Sequence, residues 1–211
     1  MKDLFVLTAD SDMEAVLRAV LARHRNLRIH PISFEVRRFT GRDSGMVKEG
    51  PEIARVMVNK SLFSKLILMW DHHGSGKELR SADEAIAGIQ VRLDGVTWAK
   101  RSAAVAIVPE LEEWLWHSPR AIARHLGLND EEFDGHAEHA ATLLERAREQ
   151  CCRELPKELF QAVLYRVKRR GPLPEDFKAL GASANLSEWS ASGSFHSFVQ
   201  TLRTWFPLKA L

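Results

Sequence analysis

Carboxylates and histidines stand at three points where an apolar run gives way to polar residues. The sharpest is Trp70-Asp71-His72-His73-Gly74; the others are Thr8-Ala9-Asp10-Ser11-Asp12-Met13-Glu14 and Pro109-Glu110-Leu111-Glu112-Glu113-Trp114. An acid at the carboxyl end of a buried strand lies where open α/β sheets form their ligand crevice. If the strands are parallel neighbours, Asp71 approaches Glu110 and Glu112 at one edge. Like charges so placed repel by roughly 4 kcal/mol per pair at ~4 Å and an effective dielectric near 20, so a cation or a proton must intervene. A metal ion resolves that repulsion; acids kept only for structure are expected to spread apart or to pair with Arg and Lys. Each group also has a plainer reading. A polar turn explains a lone Asp71, and capping with the helix dipole explains Asp12, Glu14 and part of the Glu110–Glu113 cluster. Asp10, at a strand end, is not needed for capping in this scheme and stays a candidate.

The elements that must position these residues follow from hydrophobic spacing. Leu4 to Thr8, Leu66 to Trp70 and Ala103 to Val108 are unbroken apolar runs, the habit of strands buried on both faces of a parallel sheet. Ile32, Phe34 and Val36 alternate with polar residues, which predicts a half-exposed strand nearer the sheet edge. Amphipathic helices separate the runs. Ser11 and Glu14 match a capping box ahead of the stripe Met13, Val16, Leu17, Val20 and Leu21; Ser81 and Glu84 match a second, ahead of Ala82, Ala85, Ile86, Ile89 and Leu93. Asp94-Gly95 is expected to turn the chain. Thr40 to Gly45 reads as a glycine-bounded loop in which Arg42 and backbone amides could hold an anion, or as a plain surface turn. Pro51 is expected at the first position of the next helix.

From Pro119 onward the texture becomes helical, with amphipathic stretches over 137–150, 156–169 and 194–206. The expected architecture is therefore α/β: an open, mainly parallel sheet with helices on both faces over 1–118, followed by a helical extension over 119–211 that packs on it. His136 and His139 read as a solvated helix start, Lys168-Arg169-Arg170 as a helix end, and Trp98 and Trp189 as buried loop anchors or partner contacts. Asp43-Ser44-Gly45 lacks the strand-to-helix elbow of a serine hydrolase, and Gly74-Ser75-Gly76-Lys77 lacks the first glycine and the Ser or Thr of a phosphate-binding Walker loop.

Composition bounds the function. The 211 residues are 45% hydrophobic and 27% charged, a globular balance. Lys plus Arg number 30 against 28 Asp plus Glu, so net charge points neither toward nor away from nucleic acid. The only cysteines, Cys151 and Cys152, are neighbours and suit neither a disulfide nor a metal site. Reduced thiols, the absence of a signal-peptide pattern and the absence of an apolar stretch near ~20 residues predict a cytoplasmic protein without membrane contact.

The three acid-bearing strand ends, in this order along an α/β chain, resemble the Toprim-like group of phage-defence and overcoming-lysogenisation nucleases. Ala9 to Glu14, Gly41 to Gly45 and Pro109 to Glu112 with Trp114 and Trp116 also resemble a bacterial family of small proteins of methylation-associated antiphage defence systems. That likeness covers most of residues 3 to 117 and, more faintly, Trp205-Phe206-Pro207. The resemblance implies a Toprim-like fold, a divalent metal (Mg²⁺ or Mn²⁺) and partners among the other subunits of a defence system, with nucleic acid as a further candidate. It implies that Asp71 and Glu110 or Glu112 hold the metal, that Asp10 helps directly or through water, and that His72 or His73 acts as ligand or general acid. The sequence departs from the Toprim pattern at two points: Asp10 replaces the strand-end glutamate, and His73 stands where a second aspartate would lie. A histidine ligand shifts metal preference away from Mg²⁺. Two functions are expected from these residues: a metal-dependent phosphodiesterase or nuclease-like enzyme, or a non-catalytic scaffold of a defence complex that keeps a degenerate form of the fold.

Overall fold

The computed structural model describes residues 1–208 apart from the side chain of Thr97. Four strands, β1 (Lys2–Thr8), β2 (Phe34–Arg38), β3 (Phe63–Asp71) and β4 (Ser102–Ile107), form one parallel sheet in the order β2-β1-β3-β4. The strands carrying Phe5, Leu68 and Ala106 are adjacent and parallel, with Leu7 opposite Leu68 and Leu68 opposite Ala104. The runs lack alternation because both faces are buried. Leu4, Val6, Ile67, Met69, Val105 and Ile107 point into one core, and Phe5, Leu7, Leu66, Leu68, Trp70, Ala104 and Ala106 into another. Each fully buried aliphatic side chain contributes about 1.5–3 kcal/mol, so a polar residue at any of these positions is strongly disfavoured. β2 lies at an edge and keeps its polar alternation, with Arg37 and Arg38 exposed.

Helices cover both faces. α3 (Arg42–Met57) and α4 (Ala82–Leu93) bury Met46, Val47, Ala54, Ala85, Ile89 and Leu93 against the second face. α1 (Ser11–Leu21) lies on the first face with its predicted stripe Met13, Val16, Leu17, Val20 and Leu21 buried, and α2 (His24–Leu27) follows it. The rest of the chain is α5 (Glu112–Trp116), α6 (Pro119–Leu126), α7 (Asp130–Leu143), α8 (Arg148–Glu154), α9 (Pro156–Lys168), α10 (Pro174–Ser183), α11 (Leu186–Trp189) and α12 (Gly193–Trp205). Each of these helices sends buried side chains into the core of the first face, which runs continuously from Leu4 to Phe206. α10 lies closely along α1, where a Cβ on Gly181 would come within 2.9 Å of the Val16 carbonyl.

Four local expectations are corrected. The cap of α1 is Asp10, whose Oδ1 accepts from the Met13 amide at 2.7 Å, so Ser11 is already helical and Glu14 pairs instead with Arg18. The box over Ser81 and Glu84 forms as expected. The stretch read as a loop around Arg42 is helical from Arg42 onward, and Pro51 lies inside α3, not at its start. A helix interior tolerates it here because the Val47 carbonyl, which Pro51 cannot bond, accepts from Arg92 Nη1 at 2.9 Å. Asp94-Gly95 does not turn the chain; α4 continues through Asp94–Trp98 as a wider π-type turn that buries Trp98. His136 and His139 lie within α7, where His136 Nδ1 accepts from Arg166. Trp98 and Trp189 are fully buried anchors. No described helix is long and apolar enough to cross a membrane.

Candidate functional site

All four strands point their carboxyl ends the same way, so the segments that follow them share one edge of the sheet. Asp10 caps α1 there, Asp43 stands in the first turn of α3, Asp71 ends β3, and Glu110 and Glu112 follow β4. Asp71 is the most enclosed, with 5% of its surface exposed. Its backbone N–H donates to Asp43 Oδ1 at 2.8 Å, while its own Oδ1 is buried without a hydrogen-bond partner. A buried carboxylate oxygen left so is costly. Burial drives the Asp71 carboxyl well above the usual range, and the neighbouring charges of Asp43, Asp10, Glu112 and Glu110 push it the same way.

The surrounding acids respond alike. Burial raises Glu112 to about 8, with Glu110 and Asp10 adding to the rise while its own backbone amide and Lys157 oppose it. Asp12 is raised to about 6, by burial first and then by Asp10. Asp43 is raised by burial, against the hydrogen bond it receives from the Asp71 amide. Glu110 is buried, and its Oε1 lies 3.3 Å from His73 Nδ1 and 3.7 Å from Lys157 Nζ. Lys157, in the first turn of α9, is held above its ordinary value because the charges of Glu110, Glu112, Asp71 and Asp10 outweigh its desolvation.

The crevice thus gathers Asp10, Asp71, Glu110 and Glu112 from the sequence-level candidates. The two histidines part. His73 is exposed beside Glu110, whereas His72 Nε2 is 3.1 Å from the Arg80 carbonyl, a contact that requires the proton on that nitrogen. Its Nδ1 is buried without a partner. Arg42 lies on the same edge, exposed, in a left-handed conformation with φ of 54° at the start of α3. Glu113 turns away: it accepts from Ser192 Oγ at 2.6 Å and meets His117 Nε2 at 2.6 Å, a structural role.

Two participants were not among the candidates. Asp43 was hidden by the loop reading of its surroundings, although it is a fourth acid just past a fourth strand. Lys157 comes from α9, far along the chain, and its signal is subtle: a lysine directly after Pro156 occupies a helix start, where the dipole favours acids.

No group of three or more His, Cys, Asp or Glu among the described residues stands in ligating geometry for a metal ion. The donors are nevertheless oxygen-rich, and the buried, partnerless Asp71 Oδ1 belongs to a carboxyl that feels several like charges. Such a set fits a hard divalent ion held by one or two carboxylates with water completing its shell, as Mg²⁺ commonly is, and not an all-protein cage. Comparison with protein-family models, with curated proteins and with solved structures gives no match.

Proposed function

We propose that this protein is a divalent-metal-dependent phosphodiesterase, nuclease-like in substrate, with its centre at the carboxyl edge of the sheet. The observation that carries this reading is the buried, partnerless oxygen of Asp71, a carboxyl that feels the charges of Asp43, Asp10, Glu112 and Glu110. Asp71 with Glu110 or Glu112 would hold Mg²⁺ or Mn²⁺; bound there, such an ion polarises a phosphoryl oxygen and lowers the pKa of a bound water. The chain's own groups do the rest. Asp43 fixes the Asp71 backbone, Asp10 adds negative potential beside it, and exposed His73 can deliver a proton at the mouth of the crevice. Arg42, exposed on the same edge, suits a phosphate by its planar fork. Placement in an antiphage defence system, with its other subunits as partners and nucleic acid as substrate, rests on the motif resemblance alone.

The test is calorimetric titration of Mn²⁺ and Mg²⁺ into the wild type and Asp71→Asn, paired with hydrolysis of a generic phosphodiester. Binding and turnover in the wild type, both lost in Asp71→Asn, are expected. A wild type that takes up neither ion sinks the reading.

One observation favours the non-catalytic scaffold instead. Lys157 lies within 3.7 Å of Glu110, and protonation of Asp71 and Glu112 relieves the remaining charge without a metal. On that reading Lys157→Met destabilises the fold and no added ion restores it. On the enzyme reading Mn²⁺ binds Lys157→Met more tightly than the wild type, because a competing cation is gone.

A further inference from the structure

We propose that a cleft between α2, α11 and α12, lined by none of the acids described above, binds a small phosphorylated ligand carrying a ring, of the mononucleotide class. There α2, α11 and α12 enclose about 430 Å³. That volume lies in the range of small-molecule sites. Arg25, Arg28 and Arg203 all line it. Among the described residues the arginines that form ion pairs are others, so none of these three is neutralised by a carboxylate. The acid of α11, Glu188, is turned to Ser118 Oγ instead.

One of the three arginines is held in a way that readies it for an anion. Arg203 Nε donates to the Leu27 carbonyl at 2.9 Å, which orients the guanidinium and leaves its terminal nitrogens for another acceptor. Arg28 closes α2 as a left-handed helix cap, with its side chain exposed beside the cleft. Leu186, Phe195 and Val199 back the cleft as buried side chains, so its accessible lining is mainly polar. A bare phosphate would fill only a small part of about 430 Å³, whereas a phosphate joined to a ring fills more of it. The concave, clustered arrangement suits a small ligand and not a polynucleotide, which calls for a basic stripe along its backbone.

The experiment is isothermal calorimetry on the full chain at low salt with AMP, inorganic phosphate and adenosine as probes. The wild type, the double variant Arg25→Gln/Arg28→Gln and Asp71→Asn are compared. Both arginines are exposed, so the double variant is expected to melt within a degree or two of the wild type. AMP is expected to bind the wild type with Kd at or below about 1 mM, phosphate more weakly and adenosine not measurably. The double variant should lose at least about tenfold in AMP affinity, while Asp71→Asn, outside the lining, keeps it. AMP binding that is absent, or indifferent to the two arginines, overturns the proposal. Equal affinity for phosphate and AMP overturns the ring. Loss in Asp71→Asn alone returns the nucleotide to the acid crevice.

Discussion

Glu112 shows at the scale of one residue what the crevice does to stability. Its carboxyl titrates at about 8 in the folded chain against an ordinary 4.5. Between those values the folded state holds a proton that the unfolded chain has released, so stability falls as pH rises through the window and is fullest below it. For a group only 5% exposed the shift corresponds to a loss on the order of 3 to 5 kcal/mol across pH 4.5 to 8. Denaturant melts in metal-free buffer should therefore show Glu112→Gln more stable than the wild type at pH 8, by about 2 kcal/mol or more, and indistinguishable from it near pH 4.5. A wild type whose stability is flat over that range contradicts the electrostatics. Asp71, also raised, adds to that fall, whereas Lys157, paired with Glu110, stabilises the acids at every pH below its own raised pKa: Lys157→Met should cost about 1–3 kcal/mol at pH 8, because it strips a positive charge from a buried acid cluster.

Among the elements, α1 joins structure and site through one side chain. Asp10 Oδ1 caps the Met13 amide, yet the same carboxylate raises Asp71, Asp12 and Glu112. Asn caps as well as Asp, so two substitutions separate the roles. Asp10→Ala should lose about 1 kcal/mol of cap energy, offset in part by relief of repulsion, whereas Asp10→Asn keeps the cap and should stabilise the metal-free protein at pH 8. Equal destabilisation by both would mean that the charge is immaterial. On the other flank of α1, Gly181→Ala should cost about 1–3 kcal/mol in the same melts, since its methyl would press on Val16 backbone that cannot yield. The sheet was legible because three strands are buried on both faces and lack polar interruptions. Asp71, Glu110 and Glu112 were legible because topology alone carries strand ends to one edge. Asp10 was assigned the wrong local task because Ser11 and Glu14 fit the capping-box spacing equally well, and only backbone geometry chooses between adjacent caps. Asp43 disappeared behind Gly41 and Gly45, which read as loop but serve close packing: a Cβ at Gly41 would strike the Phe39 ring. Lys157 was beyond local pattern, because its place depends on how α9 packs.

At the scale of the whole molecule, the helical part completes the α/β part. The core on the first sheet face includes Leu4, Val6, Ile67 and Met69 together with Phe160, Phe177, Phe195 and Leu202, all buried. Trp116 donates through Nε1 to the Pro156 carbonyl at 2.9 Å, which fixes the start of α9 and sets Lys157 over Glu110. Trp114 packs edge-on to Phe195 at a centroid separation of 5.0 Å and donates to Ser194 Oγ, tying α5 to α12. A chain ended at residue 118 would bare that face and lose the crevice cation together. Exposure of so many aliphatic and aromatic side chains, each worth about 1.5–3 kcal/mol, exceeds the 5–15 kcal/mol by which domains are stable. The fragment 1–118 is therefore expected to bind a hydrophobic dye and to show no cooperative melt, and the full chain to unfold in one transition with coincident near- and far-ultraviolet dichroism. A fragment that melts cooperatively by itself would make the α/β part an independent domain and the helical part a separable cover. In that case Lys157 would be a cation delivered by docking, and the fragment, freed of it, should bind Mn²⁺ more tightly than the full chain.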